Sequence, residues 1–243
     1  MTDLESFGEA GREALREVAV PLKLWPRFRD GNARKPERQA VLLGLIDSTK
    51  LAIAGITTTL VDRFQRGVNG LASWYRDFLA AIRSGHAAGA MAALGTAYPE
   101  DDDLAVAMAY AGREGDYLTG FRDAIATATV AILAPSTVLV PIAQRVISPG
   151  LLARATSYGD ALWPDAERVV HNRMTRLGYD ECHRHLGGSE RSCSECPMLA
   201  REGWIPIELL RPIGDTPCRS KCRCYVSYRK SGQSKGIAPV VGP

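Results

Sequence analysis

Histidine is scarce in this chain, with four residues among 243. Three common catalytic signatures are absent: the Gly-x-x-x-x-Gly-Lys phosphate loop, His-Glu-x-x-His and Gly-x-Ser-x-Gly. No pair of carboxylates stands out for general acid–base work. The expectation from the sequence is therefore a protein that is not an enzyme. Aromatic residues make up only 7% of the chain, whereas glycine and alanine are abundant, a composition suited to closely packed helices. The opening residues, MTDLESFGEAGREAL, are polar and lack the apolar core of an export signal. Synthesis in a reducing cytoplasm is expected, where clustered cysteines serve metals more often than disulfides. No charged residue occurs from 124 to 144, a length that nearly spans a bilayer. Pro135 and Pro141 interrupt that run, so a buried helix, a break and a second apolar segment are expected, without a membrane role.

What the chain does have is a concentration of cysteine. Five of its six cysteines lie between residues 190 and 229, as Cys193-x-x-Cys196 and Cys218-x-x-x-Cys222-x-Cys224. A Cys-x-x-Cys on a tight turn aims two sulfurs at one point, and a tetrahedral zinc needs a second pair from elsewhere in the chain. The segment between, residues 197–217, has the length of a zinc-ribbon insert. Within it Trp204-Ile205-Pro206-Ile207 reads as a short strand and Pro212-Ile213-Gly214-Asp215 as a loop, which predicts a two-turn metal clip with a small hairpin. Five sulfurs compete for four places. Cys193 and Cys196 form the firm pair, Cys218 and Cys222 have ordinary ligand spacing, and Cys224 competes for either place because residues two apart in an extended segment share a side. His183 and His185 are spare donors upstream, although the expected place of Cys182, His183 and His185 is the end of a helix, with the histidines capping it. Disulfide pairing and unpaired structural cysteines stay open as alternatives.

These residues also resemble a known family. Arg191, Cys193, Cys196, Leu199, Gly203, Pro206, Pro217, Cys222, Arg223 and Cys224 follow the order of the C-terminal domain of the phage Mu F-like minor head proteins, the phage head morphogenesis family. Where that family has His-Pro-x-Cys-Arg-Cys, this chain has Pro217-Cys218-Arg219-Ser220-Lys221-Cys222-Arg223-Cys224, so Cys218 stands in for the histidine. The resemblance covers residues 165–229. It implies a virion protein made in the host cytoplasm, acting at or near the portal vertex in head assembly or head–tail connection. The implied partners are portal or other head and connector proteins, a ring of its own copies, and viral DNA, with no catalysis. A nucleic-acid-binding zinc module, a decoration or cement protein of the shell, and a secreted effector are the alternatives.

The net charge of +3 and pI near 8.5 do not by themselves argue for nucleic acid. Charge is nonetheless uneven: residues 201–235 hold eight Lys or Arg against three acids, a basic end that suits phosphates or simply solubilises the module.

Read in order, Thr2-x-x-Glu5 is a capping box for a helix over 3–20, and residues 22–38 form a basic arm carrying Trp25 and Phe28. Helices are expected over 39–64 and, most clearly, 67–83, where Leu71, Trp74, Tyr75, Phe78, Leu79 and Ile82 recur at helical spacing. Residues 86–97 look small and flexible. Asp101, Asp102 and Asp103 suit a helix start, followed by helices over 104–117 and 119–134. A turn falls at Pro149-Gly150, residues 151–158 form a short helix or loop, and a helix led by Trp163 feeds the cysteine module through a Gly187-Gly188 hinge. The fold class expected is mainly α: a helical domain over 1–160, a helix plus cysteine-rich zinc knuckle over 161–229, and an extended tail over 230–243 that orders on a partner.

Overall fold

A computed structural model describes residues 2–133, 149–187 and 193–237. It is mainly helical, with one small three-stranded sheet. In chain order the elements are α1 (Asp3–Ala19), α2 (Trp25–Arg29), α3 (Lys35–Gln65), α4 (Leu71–Leu94), α5 (Asp101–Leu133), α6 (Pro149–Asp160), α7 (Leu162–Arg176), β1 (Glu181–His185), α8 (Cys196–Arg201), β2 (Ile205–Pro206) and β3 (Tyr225–Arg229). Single-turn 3-10 helices cover Ile207–Leu209 and Arg219–Lys221.

The first helix begins as its capping box dictates: the Glu5 amide donates to Thr2 Oγ1 at 3.2 Å, and the Thr2 amide donates to Glu5 Oε2 at 2.6 Å. Its buried face carries Phe7, Gly11, Leu15 and Ala19. Gly11 lies against Ala87 so closely that a Cβ there would overlap the alanine. This contact reports the role of α4, the axis of the bundle, which packs against α1, α3, α5 and α7. Residues 85–93 are buried on every side. The segment expected to be flexible is therefore the centre of the fold. Its small residues are there because four neighbouring helices leave no room for larger ones. The helix then ends at Gly95 (φ +74), the left-handed position that glycine adopts without strain.

Other expectations shift in the same way. The basic arm is not a free arm: residues 25–29 form α2, Phe28 is fully buried, and the Ala97 amide donates to the Phe28 carbonyl at 2.8 Å, tying α2 to the end of α4. Residues 101–133 form one continuous helix rather than two, and the helix over Pro149–Asp160 runs through the expected turn. The apolar run falls partly in α5 and otherwise, with Pro135 and Pro141, outside the described residues. Among the described residues α3 alone is long and apolar enough to cross a membrane by length and composition; its buried side, from Val41 to Leu60, packs against α4 and α6. Asp103 does start α5, but it does more than favour a helix N-terminus. It is fully buried and pairs with Arg176 at 2.8 Å, while Glu100 pairs with Arg173 at 2.9 Å, which clamps the last turn of α7 onto the start of α5.

The helix leading to the cysteine module stops at Arg176, where Gly178 (φ +75) turns the chain. Residues 181–185 are then the central strand of the sheet, order β2-β1-β3, both pairings antiparallel. The expected hairpin within residues 197–217 is thus replaced by a sheet whose middle strand comes from before the cysteines. Cys182 pairs with Tyr228 and Arg184 with Val226 on the buried face, which lies towards α7. His183 and His185 point to the other face. Their rings are 4.3 Å apart, and His185 stacks on Tyr225 at 4.8 Å. They do not cap the helix that precedes them. The start of the tail also folds back: Ile237 and Tyr228 exchange two backbone hydrogen bonds of 2.7 Å. Residues 238–243 and Gly188 lie outside the described residues.

Candidate metal centre

Two turns bring the cysteines together. The first places Cys193 just before α8 and Cys196 at its start, with Pro197 in the first helical turn, where a missing amide is harmless. The second runs from Thr216 to Cys224. It is closed by the Arg219 amide on the Thr216 carbonyl at 2.8 Å, by Lys221 on Cys218 at 2.9 Å and by Cys222 on Arg219 at 3.1 Å. Arg219 sits at φ +46, a left-handed conformation uncommon for a residue other than glycine.

Cys196 is the hub. Its sulfur lies 3.1 Å from that of Cys193, 3.6 Å from that of Cys218 and 4.0 Å from that of Cys222. Two triads form around it: Cys193, Cys196 and Cys218, and Cys196, Cys222 and Cys224, with the sulfurs of each triad within 4.8 Å of one another. All five cysteines singled out in the sequence meet at one place, and these clusters can hold a metal ion. Cys196, Cys222 and Cys224 are buried, whereas Cys193 and Cys218 are half-buried. All six cysteines are free thiols, and the Cys193–Cys196 separation is well beyond a disulfide bond of about 2.05 Å. Cys182 stands apart, fully buried on the inner face of β1, where burial pushes its thiol up to about 12. His183 and His185, the spare donors, are engaged elsewhere: His183 Nε2 with the Ala200 carbonyl at 3.1 Å, and His185 Nε2 with Ser227 Oγ at 2.8 Å. Arg191 lies outside the described residues.

The electrostatics of the cluster suit a cation. Burial pushes the Cys193 thiol up, but hydrogen bonds with Cys196, Cys218, the Cys196 amide and Thr216 outweigh burial and bring it down to about 6. Burial, followed by Cys193, pushes Cys196 up to about 12. Burial also raises Cys218, and the hydrogen bond with Cys224 followed by burial raises Cys222. One thiolate forms readily and each further one is opposed by its neighbours, so full deprotonation needs positive charge supplied at the centre.

Several supporting groups carried no signal in the sequence. Arg184, 2% exposed, points a guanidinium nitrogen at Cys196 Sγ from 4.0 Å and donates to the Arg211 carbonyl. Thr216 Oγ1 lies 3.1 Å from Cys218 Sγ and 3.6 Å from Cys196 Sγ. Trp163 Nε1 donates to the Cys224 carbonyl at 3.0 Å, and Asp160 accepts from Arg223 at 2.6 Å while pairing with Lys50 at 2.5 Å. Through these two contacts the second cysteine turn is bolted to α7, α6 and α3. The Gly187 hinge is a close crossing, since a Cβ there would overlap the Arg223 carbonyl. Arg184 was hidden because its side chain faces inward only in a strand, and a helix had been expected there.

No protein-family model, curated protein or solved structure matches this chain.

Proposed function

We propose that this chain is a minor structural protein of a bacteriophage particle, acting at or near the portal vertex, and that its C-terminal module is a structural zinc knuckle. What supports the zinc reading is the sulfur geometry. A tetrahedral zinc with Zn–S near ~2.3 Å sets its sulfurs about 3.8 Å apart, close to the 3.6 and 4.0 Å separations from Cys196 to Cys218 and Cys222, while the Cys193–Cys196 pair is closer at 3.1 Å. An all-thiolate donor set favours zinc among common divalent ions. Cys193, Cys196 and Cys218 would hold the ion, with Cys222 or Cys224, the other members of the second triad around Cys196, supplying the fourth ligand. The ion would supply a cross-link between the two turns, and its binding free energy becomes folding free energy. Four thiolates leave no open position for a substrate, so the site is read as structural rather than catalytic.

The phage reading rests on the family resemblance of residues 165–229. The order of helix α7, the Cys193–Cys196 turn, strand β2 and the Cys222-Arg223-Cys224 turn is in keeping with it. Portal or connector proteins, further copies of this chain in a ring, and viral DNA are the partners it implies. The decisive experiment is quantitative mass spectrometry of purified particles, with this chain counted against the portal subunit. A count equal to the portal, or a small multiple of it, supports the portal-vertex role. A count tracking the major shell protein indicates a decoration or cement protein, and absence from particles overturns the structural reading.

A nucleic-acid-binding module is the second reading. The observation favouring it is the exposure of Arg219 and Lys221 on the loop between Cys218 and Cys222. It predicts DNA affinity that falls steeply with salt.

A further inference from the structure

A large cleft lies away from the cysteines. It opens between α5, α6, α7 and the loop of the second cysteine turn, with a volume of about 740 Å³, within the size range of small-molecule sites. Four arginines line it, each from a different element: Arg113 on α5, Arg154 on α6, Arg168 on α7 and Arg219 on the loop. Arg168 is neutralised, donating to the Ile213 carbonyl at 3.1 Å and pairing with Asp215. Among the described residues the other three form no ion pair with a carboxylate.

How those three are held is the telling feature. Arg113 lies over the Tyr110 ring at 4.8 Å and Arg154 over the Phe121 ring at 4.3 Å. Aromatic faces orient these guanidiniums without cancelling their charge by an ion pair. Arg219 is presented by a backbone in the left-handed region, a disfavoured conformation for a residue with a Cβ. Non-glycine residues held in that region cluster at sites that need a side chain in one direction.

The acids of the cleft do not restore the balance. Asp165 is turned to the buried His86, 2.7 Å away, and Asp215 is taken by Arg168. Burial, opposed by His86 and reinforced by Asp165, pushes Glu114 up to about 7, so it is partly protonated at neutral pH. One turn along α5 from Arg113, Tyr117 exposes 67% of its surface at the same cleft. An exposed ring beside unpaired guanidiniums offers a stacking face next to a phosphate cradle.

We propose that this cleft binds a nucleotide unit, with the phosphate on Arg113, Arg154 and Arg219 and the base against Tyr117. The unit can be a free nucleotide or part of a single strand, and the cleft chemistry is the same for both. The site does not depend on the phage reading. Arg113 and Arg154 lie on helices outside the cysteine module, so their effects are separable from loss of metal.

The test is calorimetric titration of the full metal-loaded chain with AMP, with a ten-residue oligo-dT and with inorganic phosphate. The expected result is saturable 1:1 binding of AMP or of the oligonucleotide, tighter than phosphate. Tighter AMP identifies a free nucleotide and tighter oligo-dT a strand. Arg113→Ala combined with Arg154→Ala should weaken binding about tenfold or more through lost charge-assisted contacts. Arg219→Gly, which removes the guanidinium while accepting the left-handed backbone, and Tyr117→Ala should each weaken it severalfold. Circular dichroism of each variant should match the parent chain. Binding that the arginine pair does not affect, phosphate as tight as AMP, or no saturation by either nucleotide probe would overturn the proposal.

Discussion

The bundle around α4 and the cysteine module solve the same packing problem by opposite means. The bundle is tight: its axis is a run of mostly Ala and Gly, with His86 and Met91, at which helices approach almost backbone to backbone, as at Gly11 against Ala87. The module has three short strands and single-turn helices, too little apolar surface to support itself. Its interior is also polar. Arg184 is 2% exposed, and Glu167, also 2% exposed, has a carboxyl that burial holds well above the usual range, opposed by the Val226 amide and Arg184. One region is held by many small contacts and the other by a few strong ones. The bundle should therefore be sensitive to added volume and the module to the loss of single groups.

The largest effect should follow from the hub sulfur. Cys196→Ser, or chelation of the parent chain, should abolish the protease resistance of residues 178–237 while leaving the helical circular dichroism of α1 to α5 in place. Structural zinc sites contribute on the order of 10 kcal/mol to folding. Limited proteolysis followed by mass spectrometry reads the boundary, and a segment still resistant after chelation would refute metal-locked folding. The converse break is Gly11→Val, which adds volume where none is free. It should destabilise the bundle by about 3 kcal/mol, a fall of roughly 6–12 °C in the melting temperature of a chain this size. Metal content by elemental analysis should not change.

Glu167 sharpens the contrast through pH. Its carboxyl is raised in the folded chain above the unfolded value of about 4.3. The folded state therefore binds its proton more tightly. That contribution is complete below pH ~4 and is lost as pH rises towards the raised folded value. Glu167→Gln should thus be nearly neutral at pH 5 and should stabilise by about 1–2 kcal/mol at pH 8, read from urea midpoints at the two pH values. The smallest effect expected is Trp163→Phe. It removes the donor to the Cys224 carbonyl, leaves that oxygen unpaired and should cost about 1 kcal/mol. The loss should show in unfolding of the module, since Trp163 is its bolt to α7.

Much of the helical order was legible because periodicity and capping are local properties. Thr2 and Glu5 announced the first cap, and the spacing of Leu71, Trp74, Phe78 and Ile82 announced the first half of α4, but not that its second half is buried on all sides. The misreadings share a cause. Residues 86–93 look featureless because their composition answers to neighbours far away in sequence, not to helix propensity. Phe28 and Trp25 resemble the aromatics of an arm until Ala97 is seen to fix α2 in place. Residues 181–185 look like the end of a helix until two other strands are present to pair with them.

The cysteine spacings by themselves determined that two turns would each present a group of sulfurs, because a turn fixes the directions of side chains two to four positions apart. Only the tertiary structure decided that Cys196 is the common member, that Cys182 is excluded, and that Arg184, Thr216 and Trp163 support the cluster. It also decided that Arg113, Arg154 and Arg219 share one cleft. Those relations join residues from separate elements, and they exist only after packing has fixed the distances between the elements.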